Sequence, residues 1–283
     1  MTLSAAQEPW PTSPPIWIDV SGGRLPVWTA GAGPPVLLLH GISADHTEWT
    51  EVARGLARDH RVLLPDLLGR GASRPLETAG FSMAAETDRL VQILAELVAE
   101  RPIVAGHSHG ASLGLALAGR LPLAGLFLVS PVTPRTGRPR VLDLLRFGPV
   151  RRIAEPVLRS CRRPLTRYIL TRRVYGERRP DLGDAVRRYA TPYADRARAR
   201  ALLRVFRDWK PADLDRLAPP ADLKIRVVTG DADRRVAVSD AVRWAERLGA
   251  PCTVLAGAGH GVTEEEPARV EAMLRDIGRN FAE

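Results

Sequence analysis

Residues 101–118 read Arg101-Pro102-Ile103-Val104-Ala105-Gly106-His107-Ser108-His109-Gly110-Ala111-Ser112-Leu113-Gly114-Leu115-Ala116-Leu117-Ala118. An apolar strand run leads into Gly-x-Ser-x-Gly, and a run of small and aliphatic residues of helical character follows. Strand, sharp turn and helix in this order form the setting that lifts a serine hydroxyl above the edge of a sheet. The turn is so tight that side chains on its flanks would collide, which accounts for Gly106 and Gly110. The start of the next helix brings backbone N–H groups close to the serine.

Outward from this turn, the chain shows more apolar runs. Pro35–Leu39, Arg61–Pro65, Leu126–Val129, Lys224–Thr229 and Cys252–Leu255 are continuous rather than alternating. Such runs belong to strands buried on both faces, hence to a parallel sheet. Ser82 to Glu100, Asp240–Leu248 and Pro267–Phe281 carry apolar residues at helical spacing. Their alternation with the strands predicts an α/β fold with a doubly wound, mostly parallel sheet flanked by helices. Ahead of it, Ile16–Val20 and Leu25–Thr29 read as a hairpin around Gly22-Gly23. Residues 1–15 are Pro-rich and read as a loose arm.

One segment interrupts the rhythm. From Thr133 to Pro220 no apolar strand run occurs, and helical pieces rich in Arg and Leu are set apart by Pro139, Gly148-Pro149, Pro164, Pro180 and Pro192. The expected division is therefore a first core part over 1–132, a helical cap insertion over 133–220 and a second core part over 221–283.

The chain has 283 residues and a formal net charge of +9. The insertion alone holds 22 Arg and one Lys against nine Asp and Glu, so it carries the excess and the remainder is slightly acidic. Lys210 and Lys224 are the only lysines. No aromatic-interleaved basic stripe or nucleic-acid motif accompanies the charge, so no nucleic-acid partner is expected. Two readings of the arginines remain: a solvated helix surface, or recruitment of an acidic substrate or carrier such as a CoA thioester or an acyl carrier protein. Cys161 and Cys252 lie far apart without metal-ligand spacing and read as free thiols. The N-terminal residues lack a basic stretch followed by an apolar one, and no apolar run approaches a membrane span. A cytoplasmic protein without a membrane span, monomeric or homodimeric, is the expectation.

A serine needs a base, and the base needs an acid to orient it. Of the six histidines, His260 lies in the Gly-rich loop Ala256-Gly257-Ala258-Gly259-His260-Gly261, directly after the last strand run. His107 and His109 flank the serine on a turn that points them away from it. His60 reads as a surface residue. Asp231 and Asp233, after the run ending at Thr229, are both candidates for the acid. An oxyanion needs two donors; the N–H of His109 and that of Ile42, in the loop after His40-Gly41, are the candidates. His40, at the end of a strand, reads as structural or as part of a loop hydrogen-bond network, and His46 as a surface residue; His40, Gly41 and His46 are at the same time the candidate substrate contacts. No cofactor and no metal are called for.

Together these residues resemble the α/β-hydrolase fold superfamily, in particular its Ser-His-Asp members with a helical cap. His40-Gly41 matches the oxyanion loop, and Asp66-Leu67-Leu68-Gly69-Arg70-Gly71-Ala72-Ser73 matches the D-x-x-G-x-G-x-S turn. Gly106–Gly110 matches the elbow and Gly259-His260 the histidine loop. Gly230-x-x-Asp233 is similar to the acid loop, which selects Asp233 over Asp231. The resemblance runs from about residue 16 to the end, with the insertion matching in placement only.

It implies a serine hydrolase of carboxylesterase or thioesterase type, cleaving a small-molecule acyl bond through an acyl-enzyme. Relatives that open epoxides or displace halide use Asp at the elbow, and here the residue is Ser108. His109 departs from the commonest pattern. A histidine beside the serine is similar to the arrangement in cofactor-free dioxygenases of this fold. A non-hydrolytic enzyme on the same site, an acyltransferase or a cofactor-free dioxygenase, cyclase or lyase, is the alternative. A catalytically silent binding protein is the remaining alternative.

Overall fold

The computed structural model describes residues 10–137 and 139–279. The first nine residues of the expected N-terminal arm and Phe281, placed in the last helix from sequence, lie outside the described residues. The strands are β1 (Ile16–Val20), β2 (Gly23–Ala30), β3 (Pro35–Leu39), β4 (Arg61–Pro65), β5 (Arg74–Pro75), β6 (Ile103–His107), β7 (Gly125–Val129), β8 (Ile225–Gly230) and β9 (Cys252–Leu255). The helices are α1 (Thr50–Leu56), α2 (Met83–Leu97), α3 (His109–Ala118), α4 (Gly148–Ile169), α5 (Leu182–Ala190), α6 (Arg196–Asp208), α7 (Val238–Arg247), α8 (Val262–Glu265) and α9 (Pro267–Arg279).

The strands form one sheet in the order β1-β2-β4-β3-β6-β7-β8-β9, with β5 paired to β2. The hairpin β1–β2 is antiparallel and joins β4 antiparallel. From β4 to β9 every neighbouring pair is parallel. The sheet is thus mostly parallel, as the continuous apolar runs require.

Alternation along each strand divides the core between the two faces. Leu37, Leu39, Val104, Leu126 and Leu128 pack with Leu90, Ile93 and Leu94 of α2, Leu113 and Leu117 of α3, and Trp244 of α7. Val36, Leu38, Ile103, Ala105 and Phe127 pack on the other face with Val52 and Leu56 of α1 and Val270 and Leu274 of α9. Burying each such side chain contributes about 1.5–3 kcal/mol, so both helical layers are needed to cover the strands. The chain runs from β3 through α1 to β4 on one side, then returns to lay β6 on the other side of β3. The carboxyl ends of β3 and β6 therefore meet at the point where strand order reverses, the crevice in which open α/β sheets bind ligands.

Between β7 and β8 lie α4, α5 and α6 with short helical segments of one or two turns. Here one sequence expectation fails. Pro164 does not separate two helical pieces: α4 runs unbroken through Pro156 and Pro164. Both prolines are exposed, so the carbonyls they deprive of an N–H partner can be satisfied by water, which lowers the cost of an interior proline.

Candidate active site

The site starts from strain at one residue. Ser108 has φ 53° and ψ −110°, a conformation that costs about 1–3 kcal/mol and persists only where its surroundings enforce it. Three constraints enforce it here. The Ser108 N–H donates to the Val129 carbonyl at 2.9 Å. A Cβ on Gly106 would lie 2.3 Å from the Gly110 carbonyl oxygen, and one on Gly110 would lie 2.2 Å from the Leu39 carbonyl oxygen. Only glycine allows β6, the turn and α3 to come together this closely.

The Ser108 Oγ lies 3.0 Å from His260 Nε2. His260 Nδ1 lies 2.8 Å from Asp233 Oδ2. The other carboxylate oxygen of Asp233 accepts from the N–H groups of Arg235 and Val236 at 2.7 and 2.9 Å. Serine, histidine and aspartate therefore form a continuous chain, although they come from three separate loops. Asp231 does not join it; it accepts from the Gly257 N–H instead.

Burial sets the electrostatics. Desolvation holds His260 below the usual histidine range, and the pull of Asp233 only partly offsets it. At neutral pH the imidazole is therefore uncharged and able to accept a proton. Burial would raise Asp233, but the His260 ring and the two N–H donors outweigh it and keep the carboxylate ionised.

Ile42 lies in the wall of the cavity into which Ser108 and His260 face. No hydrogen bond among the described residues uses the N–H of Ile42 or of His109. The His109 ring is turned away from the cavity. Its Nε2 meets Glu86 Oε2 at 2.8 Å, and Glu86 Oε1 pairs with fully buried Arg70 at 2.5 Å.

Two of the three candidate substrate contacts lie elsewhere. His40 is fully buried and is absent from the cavity wall. Its Nε2 accepts from the Leu67 N–H at 3.0 Å, and its Nδ1 lies 2.7 Å from the Gly41 carbonyl. It pins the loop instead of meeting substrate. His46 stacks on Trp28 at 3.6 Å and bonds Asp66 at 2.8 Å, lining a different hollow. Its partner is the first residue of the D-x-x-G-x-G-x-S turn, which anchors His46 on the far side of the loop. Gly41 does line the cavity.

Other side chains at the site have no signature in the sequence. Glu48 follows Asp45 at the spacing of an ordinary helix cap, yet its Oε2 accepts from the Gly41 N–H at 2.7 Å. Its Oε1 lies 2.9 Å from His107 Nδ1, and His107 Nε2 lies 2.8 Å from the His260 carbonyl. The insertion contributes as well. Val174 accepts from the His260 N–H, and Glu265 accepts from the N–H groups of Gly176 and Gly259. Leu158, Leu165, Ile169, Leu202 and Phe206 supply an apolar wall opposite the serine, while Arg162 and Arg235 add two cations.

The family model of the alpha/beta hydrolase family matches residues 36–273. The chain belongs to this family. The solved structure of an alpha/beta hydrolase fold protein from Burkholderia ambifaria superposes with a TM-score of 0.81 at 25% identity, covering 92% of this chain and 97% of that one. A thermophilic esterase from Thermogutta terrifontis shares the fold at a TM-score of 0.78 and 22% identity, covering 94% and 99%.

In sequence, an uncharacterised protein of Mycobacterium tuberculosis is 38% identical over 104 residues, 36% of this chain and 30% of that protein. A 2-hydroxymuconate semialdehyde hydrolase from a Pseudomonas species is 34% identical over 108 residues, 37% and 38% of the two chains. The matched stretch thus spans about a third of the length of these curated relatives. The family includes hydrolases among its members, and this chain shares their mostly parallel sheet flanked by helices.

Proposed function

We propose that this hydrolase-family protein is a serine hydrolase that cleaves an ester or thioester of a small acyl substrate through an acyl-enzyme. The observation that carries the reading is the Ser108–His260–Asp233 chain, with contacts of 3.0 and 2.8 Å, behind a strained serine. Ser108 Oγ attacks the substrate carbonyl as its proton passes to His260 Nε2. The N–H groups of Ile42 and His109 receive the oxyanion. His260 then protonates the leaving group, and a water molecule activated by the same ring releases the acid. Asp233 holds the ring in the required tautomer and balances its charge in the transition state.

The helical segment over 133–220 acts as a cap that closes the site and selects the substrate. Its aliphatic wall suits an acyl chain. Arg162 and Arg235 suit a substrate that carries an anionic group, as a carboxylate or a CoA thioester does.

The deciding experiment is intact-mass spectrometry after exposure to a fluorophosphonate, with Ser108→Ala as control. One adduct on the wild type and none on the variant supports the nucleophile assignment. It then directs a screen of p-nitrophenyl esters and acyl-CoA thioesters. A folded wild-type protein that takes up no adduct overturns it and favours the non-hydrolytic or silent alternatives.

A further inference from the structure

Seven of the ten large hydrophobic side chains that stand exposed among the described residues fall between residues 141 and 168: Val141, Leu144, Phe147, Ile153, Val157, Leu165 and Tyr168. A soluble chain scatters such residues, and their concentration marks a surface that another body covers. Within α4 the spacing is ordered. Ile153, Val157, Pro164 and Tyr168 recur at intervals of four and seven, which places them along one side of the helix. Ile153 is 67% exposed, Val157 55% and Tyr168 56%.

A second stripe runs beside the first. Arg152, Arg163 and Arg167 are exposed, and no carboxylate among the described residues pairs with them. The only acidic residue of α4 is Glu155, which is buried beneath the helix and pairs with Arg159, Arg196 and Arg200. The outer face of α4 is therefore apolar along one line and purely cationic along the next.

We propose that this face docks on an anionic lipid surface. Helices that lie in a membrane interface have this construction, an aliphatic and aromatic line with arginines beside it that reach the headgroups. No helix among the described residues is long and apolar enough to cross a membrane, so the contact is superficial. A second copy of the chain fits less well, because pairing two such faces would bring their unpaired arginines together. An acidic protein would satisfy the arginines but leave the aliphatic line without a reason. The inner face of the same helix lines the cavity of Ser108, and Leu165 is both 41% exposed and part of the cavity wall. Docking thus places the bilayer beside the α4 wall of the cavity.

The test is co-sedimentation of the full chain with extruded vesicles of phosphatidylcholine alone and of phosphatidylcholine with phosphatidylglycerol in equal parts. Two surface variants accompany the wild type: Ile153→Ser/Val157→Ser/Tyr168→Ser, and Arg152→Gln/Arg163→Gln/Arg167→Gln. The wild type is expected to partition onto the anionic vesicles about tenfold or more above the neutral ones. Added salt should release it, and each variant should lose that preference. None of the six residues lines the cavity, so both variants keep their rate on a short soluble p-nitrophenyl ester if the serine hydrolase reading holds. Ser108→Ala should bind vesicles as the wild type does, which separates failure of docking from failure of the catalytic assignment. A fluorophore on Cys161, exposed on α4, should shift to the blue when anionic vesicles are added to the Cys252→Ser background. Equal binding to both vesicle types, or unchanged binding by the variants, overturns the proposal. So does a wild-type dimer in solution that the serine triple variant dissociates, or a demonstrated acidic protein partner that the arginine variant no longer binds.

Discussion

The carbonyl of Val174 accepts a 2.6 Å hydrogen bond from the backbone N–H of His260. The segment that follows α4 inside the helical insertion thus fixes the loop that carries the histidine. Around this bond the backbones touch: a Cβ on Gly176 would lie 2.4 Å from the Gly257 carbonyl oxygen and 2.6 Å from the Gly259 nitrogen. Glu265 ties the two loops together by accepting from both Gly176 and Gly259. The insertion is therefore part of what positions the His260 ring as well as a wall of the cavity.

Gly176→Ala should displace the histidine loop without unfolding the sheet. A displacement of about 1 Å lowers a rate by roughly 100-fold, so kcat/KM on a p-nitrophenyl ester should fall by about 10- to 100-fold while the far-ultraviolet spectrum is kept. Gly148→Ala serves as control, since a Cβ there meets nothing within 4 Å. Full activity in Gly176→Ala would show that the contact does not position His260.

The pH profile follows from the state of His260. Only the neutral ring accepts the serine proton, and burial holds its pKa below the ordinary 6.5. The acid limb of kcat/KM should therefore have its midpoint below pH 6.5, with activity present above it and lost as pH falls. Asp233→Asn removes the charge that orients the ring and should lower kcat by about 10⁴-fold. An acid limb above pH 6.5 would contradict the neutral, desolvated histidine.

Glu86 stands between the buried Arg70 guanidinium and the buried His109 ring. Burial would raise its pKa, but Arg70 first and His109 next bring it down to about 2. Its contribution is present above the ordinary value of 4.5 and is lost as pH falls toward 2, and amounts to about 3 kcal/mol. Glu86→Ala strands Arg70 without its partner and should cost about 3–5 kcal/mol in urea unfolding at pH 7. A cost below about 1 kcal/mol would mean that the cluster relaxes when broken.

His40 makes stability depend on pH in a higher window. Desolvation lowers its pKa to about 4, against the pull of Asp66. Protonation would also take away the lone pair that receives the Leu67 N–H. The unfolded chain binds the proton near pH 6.5 and the fold refuses it until about pH 4. Stability is thus full above pH 6.5 and falls by about 3 kcal/mol on the way down to pH 4. His40→Gln should flatten the urea midpoint over this range relative to the wild type. Parallel slopes for the two proteins would assign the effect elsewhere.

The fold was legible because parallel strands announce themselves as uninterrupted apolar runs, and each of the six central strands lies on such a run. The elbow was legible for a partly local reason: Gly106 answers to contacts within the turn itself, and Gly110 to the neighbouring strand β3. Pro164 misled because a proline signals a break only where its lost hydrogen bond has no substitute, and on the exposed outer side of α4 solvent can supply one. The sequence left His40 and His46 open between a structural or surface role and a substrate contact. Histidines near an oxyanion loop look like ligands of substrate, but whether the ring enters the cavity depends on Leu67, Trp28 and Asp66, which come from other elements.

The sequence by itself determined the strand–turn–helix around Ser108, the layered sheet and the candidate bases and acids, because local sterics and hydrophobic periodicity act over a few residues. Only the tertiary structure decided that Glu48 and Glu265 tie the loops of the site, and that the outer line of α4 remains uncovered. Those outcomes depend on distances between segments as far apart as 89 residues, and the packing of the whole chain sets them.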